Sequence, residues 1–204
     1  MKTIYIIVGP SGSGKTTLVN EYIKPTYGMG ELISHTSRPM RLGEVDGVNY
    51  HFVKGNYAFD LMERQELFVE TAPYNNYMYG TSKNEVEEKL QQHDEICIVM
   101  ERVGAAAMKQ VFNSKECMIV RIFLYASAET CLRHMLADKS RSMSCEHIRH
   151  RLAIERLINA VENEEFIPPS MSDYVILSED NFALNCKQFD DIRKDVIERQ
   201  TQQL

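Results

Sequence analysis

The residues with the clearest chemistry come early in the chain. Gly9-Pro10-Ser11-Gly12-Ser13-Gly14-Lys15-Thr16 has the spacing G-x-x-x-x-G-K-T, and Thr17 follows it. Glycines let a backbone turn tightly enough to aim successive amides at one anion, and a helix opening after the loop adds positive potential. The lysine of such a loop reaches the β- and γ-phosphates of a nucleoside triphosphate, and the hydroxyl after it joins the shell of a magnesium ion. The pattern predicts that residues Gly9 to Thr17 bind ATP with Mg²⁺, with Lys15 also catalytic and Thr16 on the metal side. It is silent on what receives the phosphoryl group.

A second constellation bears on the acceptor. Arg38 and Arg41 stand three apart, with Ser34 before them and Tyr50 after. Guanidinium forks match phosphate oxygens bidentately and hydroxyls complete the shell, so this set is a monophosphate clamp in prospect. A third candidate is Glu101, an acid directly after the apolar run Ile96-Cys97-Ile98-Val99-Met100, where a metal-side carboxylate is expected.

Such groups need a frame. Residues 4–8 form a short β-branched run, the pattern of a strand buried on both faces, and similar runs recur at 96–100, 119–124 and 174–177. Helical patterns lie at 15–23, stopping near Pro25, and at 82–92, 102–112, 128–137 and 145–166, with a closing helix from about 182. Strands alternating with helices predict an α/β fold: a parallel five-stranded sheet flanked by helices. Residues 35–81 break the rhythm with glycines at 43, 47, 55 and 80 and interspersed tyrosines, predicting an inserted lobe of short antiparallel strands. The expected organisation is a core of residues 1–34 and 82–204, with a short basic lid at about 126–146 and the acceptor lobe at 35–81.

Composition narrows the function classes. A formal net charge of −6 disfavours a general polyanion binder, so no nucleic acid polymer is expected as partner. The five cysteines are scattered without a CxxC pair or zinc spacing, the usage of free thiols in a reducing compartment. Residues 4–8 are too short for the apolar part of a secretion signal, and no apolar stretch is long enough to span a bilayer. A cytoplasmic monomer or homodimer without membrane partners is expected.

The stretch from Ser34 to Phe52, with Phe68-Val69-Glu70 and Tyr79-Gly80-Thr81, resembles the guanylate kinases. With the phosphate loop, the resemblance covers roughly residues 4–180. It implies that Ser34, Arg38, Arg41, Tyr50 and Tyr79 hold the acceptor phosphate, that Glu70 and Thr81 read the base, and that Glu101 lies near the acceptor sugar and base. A carboxylate can accept from guanine N1–H and its 2-amino group while a hydroxyl donates to O6. Adenine lacks those donors and would strand the carboxylate, which makes rejection strong. The resemblance further implies lid arginines that close over the transferring group. Arg151 is the best-fixed match and Arg141 the lid member, within a basic stretch that also holds Arg133, Lys139 and Arg149. Two positions depart: Val99 replaces the first acid of the family's L-D-I-D segment, and Ser178 replaces an asparagine near the adenine.

The implied reaction is ATP + GMP giving ADP + GDP, with dGMP as a further acceptor, in purine nucleotide metabolism. Two other readings stay open. One is a P-loop kinase for another nucleoside monophosphate or phosphorylated acceptor, which Val99, Met78 and Ser178 keep alive. The other is a catalytically weak guanylate-kinase-like module that binds phosphopeptides, against which the intact Gly14-Lys15-Thr16 speaks.

Overall fold

The computed structural model describes residues 1–74, 76–112, 114, 117–137, 172–178 and 180–202. The expected helix at 145–166 and the residues Lys139, Arg141, Arg149 and Arg151 lie outside them.

Strand β1 (Lys2–Val8) is buried from Thr3 onward, as its unbroken apolar run requires. The helix after the phosphate loop comes in three pieces: α1 (Lys15–Leu18), a π-helical turn (Val19–Ile23) and α2 (Lys24–Tyr27). It does not stop at Pro25 but runs past it. In the wide turn the Lys24 N–H reaches back five residues to the Val19 carbonyl. That spacing accommodates a proline, which has no N–H to give and whose ring would crowd an α-helical carbonyl. Gly28, at φ 63°, ends the helix with its N–H on the Lys24 carbonyl at 2.9 Å.

The chain continues through β2 (Gly30–Glu31), β3 (His35–Thr36), β4 (His51–Phe52), α3 (Gly55–Arg64), β5 (Phe68–Tyr74) and β6 (Tyr77–Ser82). It goes on through α4 (Lys83–Gln92), β7 (Glu95–Val99), α5 (Arg102–Phe112), β8 (Cys117–Tyr125), α6 (Ala128–Ala137), β9 (Tyr174–Leu177) and a closing helix α7 (Phe182–Gln202). The main sheet has the order β2-β7-β1-β8-β9, with β2–β7 and β8–β9 parallel, the α/β arrangement that the strand–helix alternation predicts. A second sheet has the order β4-β3-β6-β5. Its β3–β6 and β5–β6 pairs are antiparallel as expected, whereas β3–β4 is parallel. The ten-residue helix α3 inside this lobe is not foreseen in the sequence reading.

Two compact units divide these elements: Met1–Tyr5 with Met29–Ile119, and Ile6–Gly28 with Val120–Leu204. In the first, Phe59 of α3 is fully buried and stacks on Phe68 of β5 with centroids 4.6 Å apart. That contact anchors a helix too short to persist unaided. In the second, Asp190 of α7 accepts the Tyr22 hydroxyl at 2.7 and 2.8 Å and the Tyr27 hydroxyl at 2.5 Å. Arg193 lies 4.4 Å from the Tyr27 ring centre, completing this link between α7 and the helix that follows the phosphate loop. Among the described residues no helix is long and apolar enough to cross a membrane. Among the described residues, Cys97, Cys117, Cys131 and Cys186 are buried and in no disulfide.

Candidate active site

The phosphate loop runs from the end of β1 to the start of α1. Gly9 and Gly12 are required there twice over. Their φ angles are 151° and 84°, and a Cβ would stand 2.5 Å from the Leu124 carbonyl oxygen at Gly9 and 2.4 Å from that of Cys131 at Gly12. The Lys15 ammonium folds back over the loop, donating to the carbonyls of Gly9 at 2.8 Å and Pro10 at 2.7 Å. Thr16 and Thr17 are exposed on the first turn, and Ser11 is exposed at the loop's crest. The Ser13 hydroxyl is buried and, among the described residues, has no hydrogen-bond partner. Burial in apolar surroundings pushes the Cys131 thiol up to about 11.

Behind the loop sits a network that the motif does not announce. His134 of α6 meets the Gly12 carbonyl through Nδ1 at 2.8 Å and Asp180 through Nε2 at 3.0 Å. Arg133 pairs with the same carboxylate. In the sequence Arg133 stands only as one of several basic residues of the expected lid stretch; its partner Asp180 is 47 residues away, beyond the reach of local pattern.

Beside the second sheet, Arg38 is nearly fully buried and grips Glu44 through two parallel bonds, Nη1–Oε2 at 3.0 Å and Nη2–Oε1 at 2.7 Å. It also donates to the Pro39 carbonyl at 2.8 Å and hydrogen-bonds Tyr79. Its guanidinium lies 5.5 Å from the Tyr50 ring centre and 5.6 Å from that of Phe52. The Glu44 carboxylate holds the Arg38 guanidinium above its ordinary range, and Arg38 in turn holds Glu44 below the usual carboxylate range. Glu44 also accepts the Arg41 backbone N–H at 2.7 Å, while Arg41 itself is exposed. Tyr50 and Tyr79 meet edge to face at 5.8 Å, and burial pushes the Tyr50 phenol up. The Ser34 carbonyl accepts the His51 N–H at 2.9 Å, joining the start of this loop to β4. The structure therefore brings Arg38, Tyr50 and Tyr79 together around one guanidinium. Glu44 does not stand out in the sequence by type, although an acid three residues after Arg41 and six after Arg38 is a signal for the partner of that pair.

Glu70 and Thr81 face each other across the β5–β6 pair, after a register shift between Phe68 and Glu70. The fully buried Thr81 donates its hydroxyl to Glu70 Oε1 at 3.0 Å, and its backbone N–H also bonds the carboxylate. Burial nonetheless raises the Glu70 carboxyl above the usual range. Glu101 is exposed just before α5, its carbonyl accepting the Ala105 N–H at 3.0 Å. Ser178 is buried, with its hydroxyl accepting from Asn185 Nδ2 at 2.9 Å. That hydroxyl is engaged inside the fold with α7. Among the described residues, no group of three or more His, Cys, Asp and Glu is arranged to hold a metal ion.

The profile of the family described as "Guanylate kinase" matches residues 1–195. The chain is similar to the guanylate kinase of Chromohalobacter salexigens, 30% identical over 175 residues, which is 85% of this chain and 79% of that one. It is 36% identical over 110 residues to the guanylate kinase of Aliivibrio fischeri, and there spans about half of that relative's length, 53%. The crystal structure of guanylate kinase from Anaplasma phagocytophilum has the same fold, with a TM-score of 0.64 at 20% identity, covering 95% of this chain and 85% of that one. By the family profile and the identity to these relatives, the chain belongs to the guanylate kinase family.

Proposed function

We propose that the protein transfers the γ-phosphoryl group of ATP to GMP, and to dGMP, giving ADP and GDP or dGDP. The observation that carries the acceptor half is the half-buried Glu70 carboxylate, raised by its burial and held by Thr81. A carboxylate kept out of water with one edge fixed gains most from a partner with two adjacent N–H donors, which guanine offers and adenine does not. The Thr81 hydroxyl has one proton and gives it to Glu70 here. On binding, that proton turns to the guanine O6, and guanine N1–H and the 2-amino group take its place on Glu70.

For the donor half, the loop's geometry fits a polyphosphate: glycines without space for a Cβ, Lys15 poised on loop carbonyls, and a buried Ser13 hydroxyl lacking an acceptor. Gly9, Pro10, Ser11, Gly12, Ser13 and Gly14 would cradle the phosphates, with Thr16 on the metal side and Thr17 beside it. Mg²⁺, when bound, supplies neutralisation of phosphate charge. Lys15 exchanges its carbonyl partners for phosphate oxygens. Arg38 and Arg41, with Ser34, Tyr50 and Tyr79, orient the acceptor phosphate, and Glu101 lies toward the acceptor sugar. No general base is needed, because a phosphate monoester is largely ionised at neutral pH. Catalysis is then positioning plus charge stabilisation for in-line attack, with Arg141 and Arg151 closing the site.

A coupled assay with ATP and Mg²⁺ across GMP, dGMP, AMP, CMP and UMP tests the assignment. GMP and dGMP are expected to support turnover and AMP to support almost none. Turnover with AMP or a pyrimidine nucleotide in preference to GMP would remove Glu70 from its assigned role.

A further inference from the structure

Helix α5 contains one residue whose type its own secondary structure does not explain. Gly104 is the third residue of α5 and is followed by Ala105-Ala106-Ala107. It is absent from the glycines with positive φ, so its backbone is open to any residue. Alanine at such a place favours a helix over glycine by about 1 kcal/mol. The local backbone therefore argues against glycine, and a packing reason must argue for it.

That reason is Glu70. A Cβ built on Gly104 has three nearest neighbours, all in the Glu70 side chain: Cγ at 3.1 Å, Cδ at 3.2 Å and Oε2 at 3.3 Å. The backbone of Glu70 has little freedom to retreat. It is paired with Thr81 in the β5–β6 ladder, and Gly80 approaches it so closely that a Cβ there would stand 2.8 Å from the Glu70 carbonyl oxygen. The carboxylate is thus held at one oxygen by Thr81, which fixes Oε1, while its other oxygen, Oε2, lies 3.3 Å from where a Cβ at Gly104 would stand.

We propose that Gly104 is a specificity-determining position, which sets the seat of the Glu70 carboxylate and through it the preference for a 6-oxopurine bearing a 2-amino group. The inference rests on the acceptor reading above. A base with two adjacent N–H donors uses both carboxylate oxygens, while a base with one donor uses a single oxygen. A methyl group at 104 pivots the carboxylate about its Thr81 bond and displaces Oε2. Gly104 acts through Glu70 and is a positioning residue; it touches no substrate in this account.

The test compares GMP with inosine monophosphate, which keeps N1–H and O6 and lacks the 2-amino group, in wild type, Gly104→Ala, Glu70→Ala and the double variant. Gly104→Ala is expected to lower kcat/KM for GMP about tenfold, mostly through KM, the worth of one charge-assisted hydrogen bond. Its KM for ATP stays unchanged and its use of inosine monophosphate changes far less, so the ratio between the two acceptors narrows. In the Glu70→Ala background the same methyl has no further effect on GMP. Equal losses on both acceptors, or additive losses in the double variant, overturn the proposal. Should Gly104→Ala be too unstable for kinetics, melting temperatures decide. With Glu70 truncated the methyl no longer meets its carboxylate and keeps its helix propensity, so Glu70→Ala/Gly104→Ala must melt no lower than Glu70→Ala. A double variant that melts lower places the constraint elsewhere. A wild type that uses neither acceptor overturns the acceptor reading and this inference with it, whereas a wild type that uses GMP with an unmoved ratio in Gly104→Ala overturns only this inference.

Discussion

The loop after β1 and the clamp of the acceptor lobe are assigned similar tasks and are made of different materials. The loop is eight consecutive residues in which backbone carries the geometry: two glycine Cα atoms pressed against carbonyls of Leu124 and Cys131, and a lysine whose partners are loop carbonyls. The clamp is made of side chains drawn from separate strands and turns. Arg38 is steered by Glu44, Tyr50, Phe52 and Tyr79, and Glu70 by Thr81. A backbone device tolerates change in the residues between its fixed points. A side-chain device depends on each supporting neighbour and is more readily retuned.

That contrast can be broken experimentally. Replacing Lys15 with alanine removes the one charged side chain on which the loop depends. It is expected to cost about 10³-fold in kcat while leaving GMP affinity, measured by calorimetry, within a few-fold of wild type. Loss of GMP binding in that variant would mean that the two regions are not separable. Glu70→Ala is the mirror experiment. It is expected to cost about 10²- to 10³-fold in kcat/KM for GMP, the worth of two hydrogen bonds to a charged group, with KM for ATP unmoved.

Glu44→Gln tests whether a supporting residue matters as the contrast demands. The amide keeps the shape but not the charge that holds Arg38, and an increase of about tenfold in KM for GMP is expected from one weakened charge-assisted pair. An unchanged KM would show that the ring neighbours hold Arg38 unaided. The same lobe gives a pH signature. Burial raises the Glu70 carboxyl, so on acidification it takes up a proton at a higher pH than an ordinary glutamate. The KM for GMP should therefore rise as pH falls through a range where KM for ATP is still flat.

The last effect concerns stability. His35 on β3 is half-buried beside His51, with ring centres 4.6 Å apart, and that burial, aided by His51, lowers it to about 4. His51, Glu85 and Asp46 are the titratable neighbours acting on it. Between about 4 and the unfolded value near 6.5 the unfolded chain binds the proton and the folded chain resists it. Stability is therefore intact above that window and falls as pH drops through it, by roughly 1–3 kcal/mol. His35→Phe should flatten the pH dependence of the melting temperature between 4 and 6.5.

Legibility in the sequence follows the same division. The phosphate loop and β1 could be read because pattern and structure are both local there. The buried runs of β7 and β8 and the helices α4, α5 and α6 could be read because their burial leaves a periodic trace. The run at 174–177 does form strand β9, but only its Ile176 is buried, with Val175 and Leu177 exposed, so the expectation of a fully buried strand fails there. The two-residue strands β2, β3 and β4 are too short for any period. Helix α3 begins at Lys54 and Gly55 without a side-chain cap and depends on Phe59 stacking upon Phe68, a contact between positions nine apart. The π-helical turn was hidden because Pro25 reads locally as a stop, whereas the links to Asp190 carry the helix onward. In the candidate site, Arg38 and Glu70 stood out as residue types. Glu44 and Gly104 did not, since a support is visible only once its neighbour has a position.

The node at Asp190 has an optical consequence. The chain contains ten tyrosines and no tryptophan, so its ultraviolet emission is that of phenols. An excited phenol that donates to a carboxylate passes its proton across and goes dark, and Asp190 holds two such phenols, Tyr22 and Tyr27. Release of α7 from the helix after the phosphate loop should brighten the protein, as should Asp190→Asn. The fold thus carries a dye-free reporter, in which two of the ten phenols stay quenched while the C-terminal helix is docked.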